Sequence, residues 1–316
     1  MRVVFMGTPD FAVGSLEALS KCNKHEIVAV MTQPDRPKGR GKKMLETPVK
    51  EFALKMGYPV YQPEKIKTSE FVELLRDLAP DIIVVAAFGQ FLSQEILDLP
   101  KYGCINVHAS LLPKYRGAAP IQYAIIKGET ESGVTIMQMD KGMDTGAMLS
   151  KVVVPIEENT TMGQLHDQLM VAGAQLLLET MDAITAGTAV AEPQNNDLAT
   201  YATLLSRTME IIDWSKPAQE IHNLIRGFNP VPSTTTRLPN GKALKLYGSR
   251  MTDKESQAAP GTVVEVTKQS FFVACGRGVV EITEVQPESK KRMAAQVFIN
   301  GRGVQVGDVL GAAVEA

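Results

Sequence analysis

The chain has 316 residues, 44% of them hydrophobic and 22% charged, with a net charge of −2. That length favours two domains, that composition is ordinary for a globular protein, and that charge excludes bulk electrostatics as a recruiter of nucleic acid. Three widely spaced cysteines, Cys22, Cys104 and Cys275, exclude a disulfide framework or a cysteine metal site and point to a reducing compartment. Met1–Met6 is too short for a signal-peptide core, and no apolar run approaches ~18 residues. A cytoplasmic enzyme, or a mature organellar one, is therefore expected, with no membrane contact.

In chain order, Val3–Met6 reads as a buried strand, and Gly7-Thr8-Pro9-Asp10 turns into a helix from Phe11 to Ser20. Ile27–Met31 is a second strand, followed by a Pro/Gly/Lys/Arg loop over 33–46. Thr47 is placed to cap a helix beginning at Pro48. Val60-Tyr61 is a short strand and Ser69–Leu78 an amphipathic helix. Asp81–Ala87 is apolar and β-branched, as a strand covered on both faces should be. Ile105–His108 is the next strand, then a helix at Pro120–Lys127 and a strand over Gly133–Met139. A long helix is expected from Thr161 to Thr185, and another over 217–228.

This alternation predicts an α/β fold, an open, mostly parallel sheet with helices on both faces. The dinucleotide fingerprint G-x-G-x-x-G and the P-loop are both absent. Past the last helix, Ala243–Leu246, Thr262–Val266, Phe271–Ala274 and Val279–Val285 are short β-rich runs broken by Gly, Pro and Asn. They suggest a small all-β barrel or sandwich. The expected division is a domain over 1–189, a linker over 190–206 and a β domain over 207–316. That last part holds 14 basic and 11 acidic residues, so it is mildly basic while the remainder is acidic.

Asn106 and His108 stand two apart at a strand's end, so both side chains face one volume. An amide donor beside an imidazole suits a carbonyl carbon that passes through an oxyanion. An acid that orients the imidazole or favours its charged form would complete the set, and Asp140 and Asp144 both compete for it. Arg36, Lys38, Arg40, Lys42 and Lys43 put five cations into eight residues with no acid. They form either a solvated loop or a phosphate-contacting finger on the carboxyl edge of the sheet. Phe88, Gly89, Gln90, Phe91 and Leu92 follow the most apolar strand. They form a strand-to-helix turn that is also suited to wall a flat heterocycle. His25, His166 and His222 are isolated and read as packing or surface residues, so no metal is expected.

Asn106-Val107-His108, Ser110-Leu111-Leu112-Pro113 and Lys114-Tyr115-Arg116-Gly117, with Asp144-Thr145-Gly146 downstream, resemble the signature of the formyltransferases that use 10-formyltetrahydrofolate. The resemblance covers most of the chain, through Gly7-Thr8-Pro9-Asp10-Phe11, Thr32–Pro37, Gly39–Lys43, Ala118–Gln122, Thr135–Met139 and Ile225–Pro230. It implies a Rossmann-like catalytic domain, an OB-like C-terminal barrel and the catalytic trio Asn106, His108 and Asp144. It implies 10-formyltetrahydrofolate as co-substrate, held by residues 88–92 with Ser110, Leu111, Leu112 and Pro113 nearby. It implies methionyl initiator tRNA as acceptor, met by the basic loop and the β domain, and a monomer serving translation initiation. Two positions depart from the family pattern: Val231 replaces a common Trp, and Thr203-Leu204 replaces a common Pro-Lys. Other acceptors stay open, a sugar-nucleotide amine or water, as does an RNA-binding module without turnover.

Overall fold

The computed structural model of the protein describes residues 1–38 and 43–311. Arg40 and Lys42 of the basic loop lie outside the described residues, and of Lys38 and Lys43 the backbone alone is described. The described chain divides into two compact units. The first holds Met1–Pro120, Ser132–Pro155 and His166–Ala202, and the second holds Ile121–Glu131, Ile156–Leu165 and Thr203–Ala316.

The N-terminal half runs β1 (Arg2–Gly7), α1 (Asp10–Lys21), β2 (Glu26–Met31), β3 (Arg36–Lys38), β4 (Lys43–Leu45), α2 (Pro48–Lys55), β5 (Val60–Tyr61), α3 (Ser69–Leu78), β6 (Ile82–Ala86), α4 (Gln94–Leu97) and β7 (Cys104–His108). It continues through β8 (Arg116–Gly117), α5 (Pro120–Ile126), β9 (Glu131–Gln138), β10 (Met148–Pro155), α6 (Met162–Ala186) and β11 (Tyr201–Ala202). The main sheet has the order β10-β9-β7-β6-β1-β2-β5. Strands β5, β2, β1, β6 and β7 are parallel, and β9 runs antiparallel to β7. The alternating βα pattern forces this, because each helix crossover returns the chain in the same direction. Every residue of β6 is buried, which explains why its sequence lacks polar alternation.

The basic stretch after β2 is more regular than its composition suggests. Strands β3 and β4 pair antiparallel, Pro37 opposite Met44. The stem is fastened below: Asp35 Oδ2 meets Lys50 Nζ at 2.5 Å, and Gln62 Nε2 donates to Asp35 Oδ1 at 2.7 Å. These partners hold the Asp35 carboxyl below its usual range, with the Lys50 bond the larger cause. Thr47 caps α2 as expected, accepting from the Lys50 N–H at 3.1 Å.

Helix α6 is long and apolar enough to cross a bilayer by length and composition. Its pattern is two-sided, however. Leu165, Leu169, Leu177 and Met181 are buried, while Asp167, Gln168, Gln175 and Glu179 are exposed. A Cβ at Gly173 would lie 3.3 Å from Val107 Cγ1, so that part of the helix lies directly on the sheet beside β7.

The stretch read as a linker is tied into the first unit as far as Ala202. Met148 and Glu192 form an antiparallel bridge, and β11 pairs in parallel with β8. The second unit holds α7 (Ala218–Gly227), β12 (Thr234–Arg237), β13 (Ala243–Met251), β14 (Val263–Val266), β15 (Phe271–Ala274), β16 (Val279–Pro287), β17 (Met293–Ala294) and α8 (Ala295–Asn300). Its six-stranded sheet has the order β12-β13-β16-β15-β14, with β17 added to β16. The pairs recorded in it are antiparallel, with the register of β13 on β16 shifting at Gly248 and that of β14 on β15 between Val263 and Glu265. Trp214, Ile221, Leu246, Phe271 and Ile282 centre its core.

Candidate active site

Strand β7 carries Asn106 and His108 on one face at its carboxyl end, with Val85 of β6 beside Asn106 and Thr135 of β9 beside His108. Asn106 is half-buried, and among the described residues its side-chain amide meets no hydrogen-bonding partner. His108 is 6% exposed. Its Nε2 lies 3.0 Å from the Tyr115 carbonyl oxygen. A carbonyl only accepts, so Nε2 carries the hydrogen and Nδ1 is left as the working nitrogen.

The loop that presents the Tyr115 carbonyl is itself fixed. Buried Thr135 donates from Oγ1 to the Ser110 carbonyl at 2.7 Å and accepts from the Leu112 N–H at 3.1 Å. Ser110 Oγ donates to the Lys114 carbonyl at 2.6 Å, and the Tyr115 N–H donates to Thr200 Oγ1 at 2.9 Å. Leu112 is buried in a cluster with Met137 and Met148.

Of the two competing acids, Asp144 is the one beside the imidazole, its Oδ2 3.7 Å from His108 Nδ1. That exceeds a hydrogen bond. Oδ2 is instead held by the Gly117 N–H at 2.8 Å. Asp140 folds back on its own loop, accepting from the Gly142 N–H and from Thr145 Oγ1. Asn106, His108 and Asp144 therefore leave an amide donor, a free imidazole nitrogen and carboxylate lone pairs unspent.

The proposed heterocycle wall divides into two parts. Phe88 and Leu92 sit in the core with Val4, Met6 and Ile83, so their side chains pack and do not line a surface. The Phe88 carbonyl is taken by Thr8 Oγ1 and Gln33 Nε2, both at 3.1 Å. Gln90 is committed to Ile66 N and the Pro63 carbonyl. What remains open is main chain. Among the described residues the backbone groups of Gln90, Phe91 and Leu92 find no partner in the chain, and the Phe91 ring is 56% exposed. The left-handed backbone at Gly89, φ +85°, turns this segment.

Arg36 is exposed, with Glu64 Oε2 3.4 Å from its Nη2. His166 lies at 16% exposure against Phe11, near Asp10 and Asp167. Cys104 shares β7 with Asn106 and His108, but burial pushes its thiol up to about 12, which leaves it unreactive near neutral pH. Among the described residues no group of three His, Cys, Asp or Glu is placed to hold a metal ion. A polar cavity of about 390 Å³ lies in the second unit, lined by His222, Arg226, Asn229, Tyr247 and Arg292 among others, and none of the trio borders it.

One participant escapes sequence reasoning. Gln194 lies in the stretch read as linker, yet it bonds to Arg116, a residue of the Lys-Tyr-Arg-Gly word in the signature that is 2% exposed. No local signal marks Gln194, since that contact spans 78 residues.

Residues 1–181 match the family described as Formyl transferase, and residues 204–303 match Formyl transferase, C-terminal domain. The chain belongs to the formyl transferase family. This formyl transferase is 51% identical to the methionyl-tRNA formyltransferase of Agathobacter rectalis, over 97% of this chain and 98% of that protein. It is also 51% identical to the enzyme of that name from Bacillus subtilis, over 98% of each. Among solved structures, a sugar 3N-formyl transferase shares the fold at TM-score 0.65 and 22% identity, covering 92% of this chain and 99% of that one. The N-formyltransferase of Helicobacter canadensis does so at 0.63 and 23%, covering 89% and 98%. The resemblance carried by the residues around Asn106 and His108 is thus borne out at the level of the family.

Proposed function

We propose that this formyl transferase moves a formyl group from 10-formyltetrahydrofolate to the α-amine of methionyl initiator tRNA, and so supports translation initiation. The observation that carries the chemistry is the unspent amide of Asn106 beside the free Nδ1 of His108 and the Asp144 carboxylate. The acceptor follows from relatives of that name matched over nearly their whole length.

The Asn106 amide donates to the formyl oxygen as the attacking amine drives charge onto it. His108, anchored through Nε2, turns only Nδ1 toward the reaction, and a protonated Nδ1 strengthens the oxyanion contact as a charge-assisted bond. A single N–H cannot serve the oxyanion and Asp144 at once. The division of labour that follows gives Asp144 the proton leaving the amine, taken directly or through a water, for return to the departing folate nitrogen. The unpaired main chain of residues 90–92 and the exposed Phe91 ring supply donors, acceptors and an apolar face suited to a flat pterin. Ser110, Leu111, Leu112 and Pro113, in the loop fastened by Thr135, are read as the pterin's further neighbours. The cations Arg36, Lys38, Arg40, Lys42 and Lys43 are read as contacts to tRNA phosphates. The reading includes a cytoplasmic monomer that works without a membrane. The buried stripe and charged outer face of α6 support the last point.

The test is incubation of purified protein with 10-formyltetrahydrofolate and methionylated initiator tRNA, with uncharged tRNA and free methionine as controls. Formylmethionine released from the charged tRNA alone is the expected result. Folate consumption without formylated tRNA would overturn the acceptor, and tRNA binding without turnover would overturn the chemistry.

A further inference from the structure

Asp144 occupies a backbone conformation, φ +54°, that non-glycine residues seldom adopt without support. Its support is a closed ring of hydrogen bonds. Gln194 Nε2 donates to the carbonyl oxygens of both Asp144 and Gly146, each at 2.8 Å. Gln194 Oε1 accepts from Arg116 Nε at 3.0 Å and from Nη2 at 2.8 Å. Nη2 also donates to Asn196 Oδ1 at 2.8 Å. The residue after Arg116 is Gly117, whose N–H holds Asp144 Oδ2. The carboxylate and the backbone of Asp144 are thus fixed by two arms that meet in one dipeptide.

The chemistry of the ring is one-directional. Both amide hydrogens of Gln194 and its oxygen are fully used, and no other side chain of that length both donates twice and accepts twice. Arg116 is 2% exposed, and among the described residues it meets no carboxylate at salt-bridge distance. A buried guanidinium is costly to desolvate, and this one is spent on the amides of Gln194 and Asn196. Such an arrangement serves poorly as generic stabilisation, because the cost of burying the guanidinium is offset only by bonds to neutral amide oxygens. It serves well to fix an acid near an imidazole at a distance too long for a direct bond.

The geometry points to Gln194 as a positioning residue for formyl transfer, clamped by Arg116 and holding Asp144 at its working distance from His108. The inference rests on the trio reading, in which Asp144 takes part in the reaction.

The experiment measures kcat, KM for each substrate and the pH profile of kcat for Gln194→Leu, Gln194→Glu, Asp144→Asn and the two double variants with Asp144→Asn. Gln194→Glu keeps the bond to Arg116, and strengthens it, but turns a carboxylate toward two carbonyls. It therefore tests orientation with the rest of the ring intact, and it reports even if Gln194→Leu fails to fold. An active-site group displaced by about 1 Å loses up to roughly 100-fold in rate, so both single variants should lose about 10- to 100-fold in kcat. KM should stay within about twofold and the pH profile of kcat should shift. In the Asp144→Asn background the Gln194 substitutions should cost less than about threefold, because coupled residues are not additive. Full additivity, unchanged kcat in both folded single variants, or a raised KM with unchanged kcat would each overturn the proposal. Full activity in Asp144→Asn alone would instead overturn the trio reading, which separates the two failures.

Discussion

Around Asn106 nearly every polar group is committed: Thr135 to Ser110 and Leu112, His108 Nε2 to Tyr115, Asp144 Oδ2 to Gly117. The Asn106 amide, among the described residues, is not. Half-buried at the strand's end, that amide is open to an incoming acceptor and costs the fold no bond when it turns to one. If the amide stabilises the oxyanion, Asn106→Ala should lower kcat by roughly 100- to 1,000-fold, or about 2.7–4 kcal/mol. Steady-state kinetics with unchanged thermal midpoint would check it, and a loss below about tenfold would sink the assignment. The pairing of Asn106 with His108 was legible in sequence because a strand's period of two is rigid. Asp144 was not legible from spacing, since Asp140 looked equally apt. What separates them is loop geometry, with Asp140 turned onto Gly142 and Thr145. Only the family resemblance could choose.

Elements place these residues, and here sequence reading stops at medium range. The parallel strands were legible because each is a local apolar run, and α2 because Thr47 and Pro48 mark its start. The return of 121–131 and 156–165 into the second unit was not, because nothing local distinguishes a strand that ends one unit from a segment that joins another. The loop after β9 gives a test. A Cβ at Gly146 would lie 1.8 Å from the Gln138 backbone oxygen, so Gly146→Ala must displace the Asp144 loop. Overpacking of this kind costs about 1–3 kcal/mol, and the variant should show a lowered thermal midpoint together with a lowered kcat. Helix α7 gives another. His222 is 1% exposed, donating from Nε2 to the Glu158 carbonyl and accepting at Nδ1 from Ser249. Burial pushes its pKa below 6.5, and Arg226 nearby adds to the effect, while the Glu158 backbone bond opposes it. Below 6.5 the unfolded chain then binds a proton that the folded one refuses, so stability is full above that pH and falls as pH drops through the window beneath it. Thermal midpoints between pH 7 and 5 should decline more steeply for the parent protein than for His222→Gln. Parallel slopes would remove His222 from the acid response.

At the scale of the molecule, the even net charge of −2 conceals an uneven distribution, with a surplus of basic residues from Arg207 onward and a cationic run between Arg36 and Lys43 inside an otherwise acidic half. A tRNA acceptor end is a dense row of phosphates, and each phosphate neutralised by a lysine or arginine releases condensed counterions. Affinity then falls with salt at a log–log slope of about −0.7 to −0.9 per contact. The loop's stem is fastened by Asp35, Lys50 and Gln62, and Arg36 at its start lies 3.4 Å from Glu64. Substituting Arg40, whose position in the run is known from sequence alone, should leave the KM for 10-formyltetrahydrofolate within about twofold while weakening methionyl-tRNA binding. The salt slope should become shallower by about one contact's worth. Filter-binding titrations across a salt series, for the parent and Arg40→Ala, read this directly. An unchanged slope with weakened affinity would mean that Arg40 meets a base or sugar and not a phosphate. An unchanged slope and unchanged affinity would mean that the loop is a solvated hairpin and that the basic surplus beyond Arg207 carries the RNA.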